Sequence, residues 1–347
     1  MRKFLGLLLV IALIGGGWYA FSRLDARVER DETGGLRAIT IRPRGGSWAP
    51  FDGGEGSASS GGSSSSPAPV PAAGGRSNLR LAAYHTGGLE PRQLADQSTR
   101  EALVTVARQF DVLALQQVGG TSPATMVSWV EALSEAGVSY GFAMCPVVRG
   151  APREEYQAFL FNRATVEVDL DTVHSIEDPG RRFRHKPLVG LFRARGIKPE
   201  EAFTFKLVSL RIDSAYSARE LQQLMPLYRA VRDDGLGEDD VILLGDFGVA
   251  GDRLEELCEG TPLSLALAGG AFTSRGVALG DNLLLSRRAT KEFIGRGGAV
   301  DLRGKFGLSS ETAYRLASHL PVWGEFTRAE SDRPDFMAEQ AGPQTRR

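Results

Sequence analysis

Short runs of apolar and β-branched residues recur between residues 78 and 328, and they constrain the fold of this chain more than any other feature. Each run is six to ten residues long. Runs of this length and composition are typical of β-strands that are buried in a sheet. The predicted strands occupy residues 79–84, 112–118, 156–161, 187–192, 203–212, 241–247, 281–286 and 321–327.

Amphipathic stretches lie between these runs and predict helices over residues 98–110, 124–137 and 217–231. In the first of them, Leu103, Val106 and Phe110 fall on one helical face. The chain is 42% hydrophobic and 24% charged, which is ordinary for a globular core. Strands that alternate with helices predict an α/β fold, and about 250 residues suit one domain.

The N-terminus carries a separate signal. Arg2 and Lys3 precede an uncharged run of 19 residues from Phe4 to Ser22. As a helix, such a run would span about 28 Å, close to the hydrocarbon thickness of a bilayer. Residues 1–22 are therefore expected to be an uncleaved signal anchor, with a cleaved signal peptide or a soluble helix as alternatives. Because the basic residues should stay in the cytoplasm, a membrane-anchored, extracytoplasmic domain is expected.

Residues 23–77 are predicted to be a flexible linker between this anchor and the domain. From Gly53 to Gly75 every residue is Gly, Ser, Pro or Ala, apart from Glu55 and Val70. Such a composition cannot bury an apolar core. The linker also contains one short apolar alternation, at residues 36–43. The tail over 329–347 is expected to be disordered.

The overall charge and the cysteine content exclude several classes of protein. Lys plus Arg number 41 and Asp plus Glu number 42, for a net charge of −1. This balance argues against a nucleic-acid partner, because a basic surface is the usual signature of one. The chain has only two cysteines, Cys145 and Cys258. That is too few for a disulfide framework or a cysteine-based zinc site, and it leaves their redox state open.

Several segments, taken in their order, resemble one large family. They read LRLAAYHTGGL (79–89), FDVLALQQV (110–118), EEYQAFLF (154–161), DVILLGDFGVA (240–250), GDNLLL (280–285) and ASHLPVWGEF (317–326). This pattern is similar to that of the endonuclease/exonuclease/phosphatase superfamily, the deoxyribonuclease I-like phosphoesterases. The resemblance implies a four-layer sandwich of two packed β-sheets flanked by helices. It also implies hydrolysis of phosphoesters at a site that holds Mg²⁺.

The resemblance assigns catalytic positions that this sequence keeps. Asp246 stands in the GDF motif, Asp281 opens its strand, and His319 precedes the last strand. Glu155 retains the acidic position of its segment. These four residues are the candidate catalytic groups, since a polarised His and nearby carboxylates are what activation of water requires. Asp246 is also one of two candidate metal-binding residues.

Other positions assigned by the resemblance carry different chemistry. His85 and Gln117 replace the Asn and the Glu that bind metal, and Gln117 is retained here as a weak metal ligand. Arg211 replaces an active-site His, Gly248 an Asn, and Ser318 the Asp before His319. A cationic side chain in the pocket competes with a metal ion for the same place. His85 and Arg211 are therefore taken as candidate substrate-binding residues. Arg211 is predicted to pair with the nearby acids Glu155 and Asp246, with an outward orientation that binds an anion as the alternative.

These replacements predict a degenerate family member that has lost the Mg²⁺ implied by the family. Such a protein would be a weak or inactive phosphoesterase that binds a phosphorylated ligand or a partner protein through the former active-site face. The alternative is an active metal-dependent phosphodiesterase, nuclease or phosphatase, with a site rebuilt around His85, Asp246, Asp281 and His319. Two His and one Asp would suit Zn²⁺ or Mn²⁺. A third possibility is a structural module whose pocket has closed.

Overall fold

The structure is a computed structural model, and it describes residues 24–30, 36–43, 76–119, 123–146, 155–268, 271–272, 278–307, 309–316 and 319–331. The predicted anchor over 1–22 lies outside these residues, as do most of the predicted linker and tail. Within the described ranges, no helix combines the length and the apolar character that a membrane crossing requires.

The first β-sheet has eight strands and mixed pairing. Its central strands β3 and β4 run parallel, whereas the other pairings are antiparallel. In sheet order the strands are β1 (Leu24–Arg30), β2 (Leu36–Pro43), β5 (Tyr140–Pro146), β6 (Glu155–Asn162), β4 (Val112–Gly119), β3 (Leu79–Leu89), β16 (Val322–Phe326) and β15 (Phe293–Ala299).

The second β-sheet has six strands, and its one parallel pair is β9 with β10. In sheet order the strands are β11 (Ser264–Leu265), β14 (Asp281–Leu285), β10 (Val241–Asp246), β9 (Thr204–Arg211), β8 (Leu188–Ala194) and β7 (Val166–Ser175). A short hairpin of β12 (Ala271–Phe272) and β13 (Ala278–Leu279) lies apart from both sheets.

The described helices connect the strands. They are α1 (Pro91–Leu94), α2 (Gln97–Ala107), α3 (Ala124–Glu135), α4 (Ser217–Glu220), α5 (Leu224–Arg232), α6 (Gly251–Cys258), α7 (Leu302–Phe306) and α8 (Ser310–Leu316). Single 3₁₀ turns cover Pro199–Glu201, Ser214–Tyr216 and Leu221–Gln223.

Three apolar clusters show how these elements stack. One lies between the two sheets and contains Leu81 of β3, Phe205 of β9 and Ile242 of β10. A second joins the outer face of the first sheet to α2 and α3. The third joins the outer face of the second sheet to α5 and α6. The layers are therefore helix, sheet, sheet and helix, as the resemblance predicts, because each sheet buries both of its faces.

The N-terminal boundary differs from the predicted one. The stretch 23–77 was expected to be linker, yet β1 and β2 lie inside it. The backbone of β2 pairs with β5 through residues 39–41. The strand over Leu36–Pro43 coincides with the apolar alternation noted in the sequence, a pattern of period two that favours a strand. The first sheet thus begins well before residue 78.

The helix predicted over 217–231 is also divided into shorter pieces. Helix α4 gives way to the 3₁₀ turn Leu221–Gln223 before α5 begins. Pro226 falls in the first turn of α5. Proline has no amide hydrogen and its ring clashes with the carbonyl four residues earlier, so one continuous α-helix through this point is disfavoured.

Candidate active site

The second sheet places three charged side chains in one row. Arg211 ends β9, Asp246 ends β10, and Asp281 begins β14. Asp246 pairs with Arg211 in the parallel register of β9 and β10. It also pairs with Asp281 in the antiparallel register of β10 and β14. The strand register therefore brings one guanidinium and two carboxylates to the same edge of the sheet.

The first sheet brings its polar residues to the edge that faces this row. His85 lies in β3, Gln117 in β4 and Glu155 at the start of β6, while His319 stands shortly before β16. The pairing register of β4 shifts on both sides near Gln117, whose φ is +55°. A positive φ is uncommon outside glycine, and such irregularities redirect a side chain.

Asp281 and His319 form the tightest polar pair of the site. The distance from His319 Nδ1 to Asp281 Oδ2 is 2.7 Å, and to Asp246 Oδ2 it is 3.8 Å. Burial raises the pKa of Asp281 to about 6. Burial alone would lower the pKa of His319, but the hydrogen bond and negative charge of Asp281 outweigh it, so the pKa is raised. The hydrogen bond to Asp281 holds the imidazole of His319 in one orientation. Both a general base and a cationic binding group require such a fixed orientation.

A second network joins the remaining site residues. Arg211 donates to Glu155 Oε2, as an ion pair. The Gln117 amide donates to Glu155 Oε1 at 2.9 Å, and the Gln117 side chain also hydrogen bonds with His85. The predicted pairing of Arg211 with Glu155 is confirmed, whereas Asp246 interacts with Arg211 only through its charge. Gln117 therefore spans an acid and an imidazole.

The ring of His85 is buried beside that of His319. The ring centroids are 4.4 Å apart, and His85 is 7% exposed. Burial lowers the pKa of His85 well below its ordinary value, and the charges of His319 and Arg211 lower it further. Asp246 is affected in the opposite sense, because burial raises its pKa. Near neutral pH, His85 is therefore a neutral imidazole.

The loop after β10 has a tight turn at Gly248. Its amide donates to Asp246 Oδ1 at 2.9 Å, and its φ is +65°. A Cβ atom at this position would lie 2.5 Å from the carbonyl oxygen of Ile212. The asparagine that the resemblance expects here would not fit without a backbone shift. The loop is therefore built for glycine.

These groups surround one open pocket of about 430 Å³. Its walls come from strand ends and from the loops after β9 and β10. The lining residues are His85, Arg211, Ile212, Asp213, Ser214, Asp246, Gly248, Val249, Ala250, Gly280 and His319. Among the other candidate site residues, Glu155 contacts the lining residue Arg211, Asp281 contacts the lining residue His319, and Gln117 contacts Glu155. Ser318 lies outside the described residues.

The described residues do not suit Mg²⁺, which prefers several carboxylate or carbonyl oxygens. Glu155 is paired with Arg211, Asp281 with His319, and Gln117 directs its amide hydrogen at Glu155. A different set is better placed for a metal. One ligand atom from each of His85, Asp246 and His319 lies within 4.8 Å of the others. Two imidazoles and one carboxylate suit Zn²⁺ or Mn²⁺ better than Mg²⁺.

His185 is a site neighbour that the sequence did not single out. In the basic loop over 181–187, Arg181, Arg182 and Arg184 are exposed. His185 instead is 7% exposed. Burial lowers its pKa to about 4, and the charge of Arg211 contributes in the same direction. The only sequence signal was its position between a buried Phe and a Pro.

Comparison with known proteins identifies relatives of the same kind as the fold suggests. The chain is 27% identical over 270 residues to Deoxyribonuclease-1-like 1 of Sus scrofa. The alignment covers 74% of this chain and 84% of the relative. It is 24% identical over 263 residues to Deoxyribonuclease-1 of Bos taurus, covering 71% and 91% respectively. No family model matches the chain.

A solved structure agrees at the level of the fold. An endonuclease/exonuclease/phosphatase family protein from Leptotrichia buccalis superposes with a TM-score of 0.50 and 11% identity, over 72% of this chain and 99% of the other. The two-sheet sandwich, the order of the site segments and the deoxyribonuclease relatives agree with one another. The sequence similarity to deoxyribonucleases and the shared fold support assignment of this chain to the deoxyribonuclease I-like endonuclease/exonuclease/phosphatase superfamily.

Proposed function

We propose that this protein binds a phosphate-bearing ligand in the pocket and has little or no Mg²⁺-dependent phosphoesterase activity. The observation that carries the proposal is the network from Arg211 through Glu155 and Gln117 to His85. Two of its members, Gln117 and His85, stand at positions where the resemblance expects metal ligands. Glu155 is held by Arg211 and by Gln117, so a hard cation would have to break an ion pair to gain this carboxylate.

The pocket also offers what a phosphate requires. The Arg211 guanidinium has five N–H donors, and the contact with Glu155 engages only part of them. His319, with its raised pKa, supplies a second cationic donor. Asp246 would repel an anion when ionised, but burial raises its pKa and so weakens that repulsion. Charge-assisted hydrogen bonds of this kind are the strong ones in phosphate recognition.

The relatives are named deoxyribonucleases, which suggests that the pocket descends from one that held a phosphodiester. The net charge of −1 argues against an extended nucleic acid as the present ligand. A small phosphorylated molecule or a phosphorylated protein partner fits the proposal better.

The proposal includes attachment to a membrane through Phe4–Ser22. The support is the length of this uncharged run and the basic residues before it. If the run is an anchor, the full-length protein should remain with the membrane fraction after carbonate extraction. A soluble product that begins near residue 18 would show cleavage of a signal peptide instead.

Ligand binding can be tested by calorimetric titration of the full chain with inorganic phosphate, with sulfate as a competitor. We expect saturable binding that weakens about 10- to 100-fold in Arg211→Ala and in His319→Gln, since each removes a charge-assisted donor. Arg253→Ala is the matched control, because Arg253 is exposed and its ion-pair partner among the described residues is the exposed Glu256. Equal affinity in all four proteins would contradict the proposal.

Catalysis is tested separately with bis(p-nitrophenyl) phosphate and Mg²⁺. We expect no turnover above that of His319→Gln, because the described residues do not form a hard-oxygen site. A Mg²⁺-dependent rate that disappears in His319→Gln would identify a working hydrolase and would contradict the inactive assignment.

One observation favours a second candidate function, a phosphoesterase with a rebuilt metal site. It is the convergence of His85, Asp246 and His319. This candidate expects Zn²⁺ or Mn²⁺ to bind with one-to-one stoichiometry, and His85→Ala to abolish both that binding and any metal-dependent turnover. If neither ion binds to the wild-type chain, this candidate is excluded.

A further inference from the structure

A cluster of three carboxylates lies at the end of β10 that is remote from the pocket. Asp240 immediately precedes β10, Glu292 precedes β15, and Glu330 follows β16. One oxygen from each lies within 4.8 Å of the others. Asp246 is at the far end of the same strand, and a strand of six residues separates its ends by about 17 Å. The acid cluster is therefore distinct from the candidate active site.

Two of the three acids are buried and carry oxygens that no described donor satisfies. Asp240 is 4% exposed and Glu292 is 1% exposed. Asp240 Oδ1 and Glu292 Oε2 make no hydrogen bond among the described residues. The other Glu292 oxygen accepts from the backbone amide of Ser331 at 2.6 Å. A buried carboxylate oxygen without a partner is costly, so something is expected to occupy the space between these groups.

The side chains in the described part of the chain do not neutralise the cluster. Among the described residues, no lysine or arginine forms an ion pair with these three carboxylates. Lys206, whose charge reaches the adjacent Glu238, is already bonded to Asp234 at 2.7 Å and to two carbonyl oxygens. The Thr290 hydroxyl lies near Asp240 but lacks normal hydrogen-bond geometry. Glu238 adds a fourth negative group beside Asp240, whose amide donates to it at 2.7 Å.

We propose that Asp240, Glu292 and Glu330 bind a divalent cation of the calcium type. Ca²⁺ takes oxygen ligands at about 2.3–2.6 Å, so two ligands of one ion are at most about 5.2 Å apart. The observed spacing within 4.8 Å meets this condition before any adjustment. Nitrogen and sulfur donors are absent from the set, which argues against Zn²⁺. The ion would tie the start of β10 to the ends of β15 and β16.

Protons are the competing occupant of the same oxygens. Burial raises the pKa of Asp240 to about 9, and the charges of Glu292 and Glu238 add to this shift. Burial and the charge of Glu292 likewise raise the pKa of Glu330 to about 8. Without a cation, Asp240 and Glu330 would therefore hold protons near neutral pH. Protons and metal bind the same groups, so the experiment must show binding of the ion itself.

The experiment is thermal unfolding of the full chain in EDTA and in millimolar CaCl₂, with equilibrium dialysis against ⁴⁵Ca²⁺. For a site filled at a hundredfold excess over Kd, we expect the melting temperature to rise by about 5–10 °C. Dialysis should give one ion per chain. Glu292→Gln and Asp240→Asn preserve shape but remove a ligand charge, so both should lose the rise and the bound ion.

The same variants keep the test decisive. In EDTA each should melt near the wild-type temperature, because an amide keeps the shape of the carboxyl group that it replaces and is uncharged. Glu259→Gln, an exposed change, is the matched control and should respond as wild type. Asp246→Asn should also keep the Ca²⁺ response, which separates this site from the pocket and from the proposed function. The proposal is overturned if the wild-type chain does not bind Ca²⁺, or if both ligand variants still do.

Discussion

At the scale of single residues, Gln117 accounts for most of the difference between this pocket and the one that the family resemblance predicts. A carboxylate at this position would face Glu155 and would need a cation between the two acids. The amide instead donates to Glu155 at 2.9 Å and hydrogen bonds with His85 through the same side chain. An amide has both donors and an acceptor, whereas an ionised carboxylate only accepts. The amide of Gln117 can therefore contact Glu155 directly, through a hydrogen bond.

Arg211 should stabilise the fold through its ion pair with Glu155. We expect Arg211→Ala to lower the free energy of unfolding by about 1–3 kcal/mol, because Glu155 loses its charged partner. The side chains of Arg211 and Glu155 are 19% and 24% exposed. The loss of stability should therefore be smaller than for a fully buried ion pair. Urea denaturation measures the change, and Arg211→Lys should recover part of it. The exposed Arg253→Ala is the control, and an equal loss in that variant would contradict the interpretation.

His185 should make the domain less stable in mild acid. Its pKa in the fold is about 4, lowered by burial and by Arg211 and Arg184, while Glu155 and Asp213 partly oppose the shift. An unfolded histidine titrates near 6.5. As the pH falls from about 6.5 to 4, the unfolded chain gains a proton that the folded chain does not. Stability is therefore lost across this range, by about 1–3 kcal/mol.

The variant His185→Gln should remove that part of the pH dependence. Urea denaturation at a series of pH values should show a smaller loss for the variant than for wild type between pH 6.5 and 4. His174→Gln, a change in β7, is the matched control. Parallel stability curves for His185→Gln and wild type would show that His185 is not the titrating group.

At the scale of elements, the loop after β10 is adapted to glycine. Gly248→Asn would restore the side chain that the resemblance expects, but its Cβ would lie 2.5 Å from the Ile212 carbonyl oxygen. We expect the variant to lose about 1–3 kcal/mol of stability rather than to gain metal binding, because the backbone must move. Urea denaturation and Mg²⁺ titration measure the two effects. Mg²⁺ binding without a loss of stability would contradict this account of the loop.

The elements also show which parts of the structure could be predicted from sequence. Strands that are buried on both faces leave an apolar run, so all eight predicted strands are present. The strand β7 was not predicted, because its residues are largely half-buried and leave no such run. The contact between Arg211 and Glu155 could be predicted because the family resemblance placed both residues in the site. The acid cluster could not be predicted, because Asp240, Glu292 and Glu330 are far apart in the chain and meet only through the strand order.

At the scale of the whole molecule, β10 links two sites of different character. At its C-terminal end, Asp246 lies among imidazoles and a guanidinium. At its N-terminal end, Asp240 lies among other acids. A cation bound at the acid cluster would hold together strands of both sheets, since β10 belongs to the second and β15 and β16 to the first. A change at the acid cluster should therefore alter stability without altering the pocket.

The N-terminal strands should be part of the folded domain. A chain that begins at residue 76 would lack β1 and β2 and would leave β5 as the edge of the first sheet. The backbone of β5 at residues 142–144, now paired with β2, would then be open to other chains. Because an uncovered edge strand promotes association, we expect the free energy of unfolding to fall by about 2–4 kcal/mol and self-association to increase with concentration.

Urea denaturation and analytical ultracentrifugation should compare the chain that begins at residue 76 with a chain that begins at residue 24. Removal of residues 332–347 is the control, since it leaves every described strand intact. If the chain from residue 76 is as stable and as monomeric as the longer one, β1 and β2 contribute nothing to the fold.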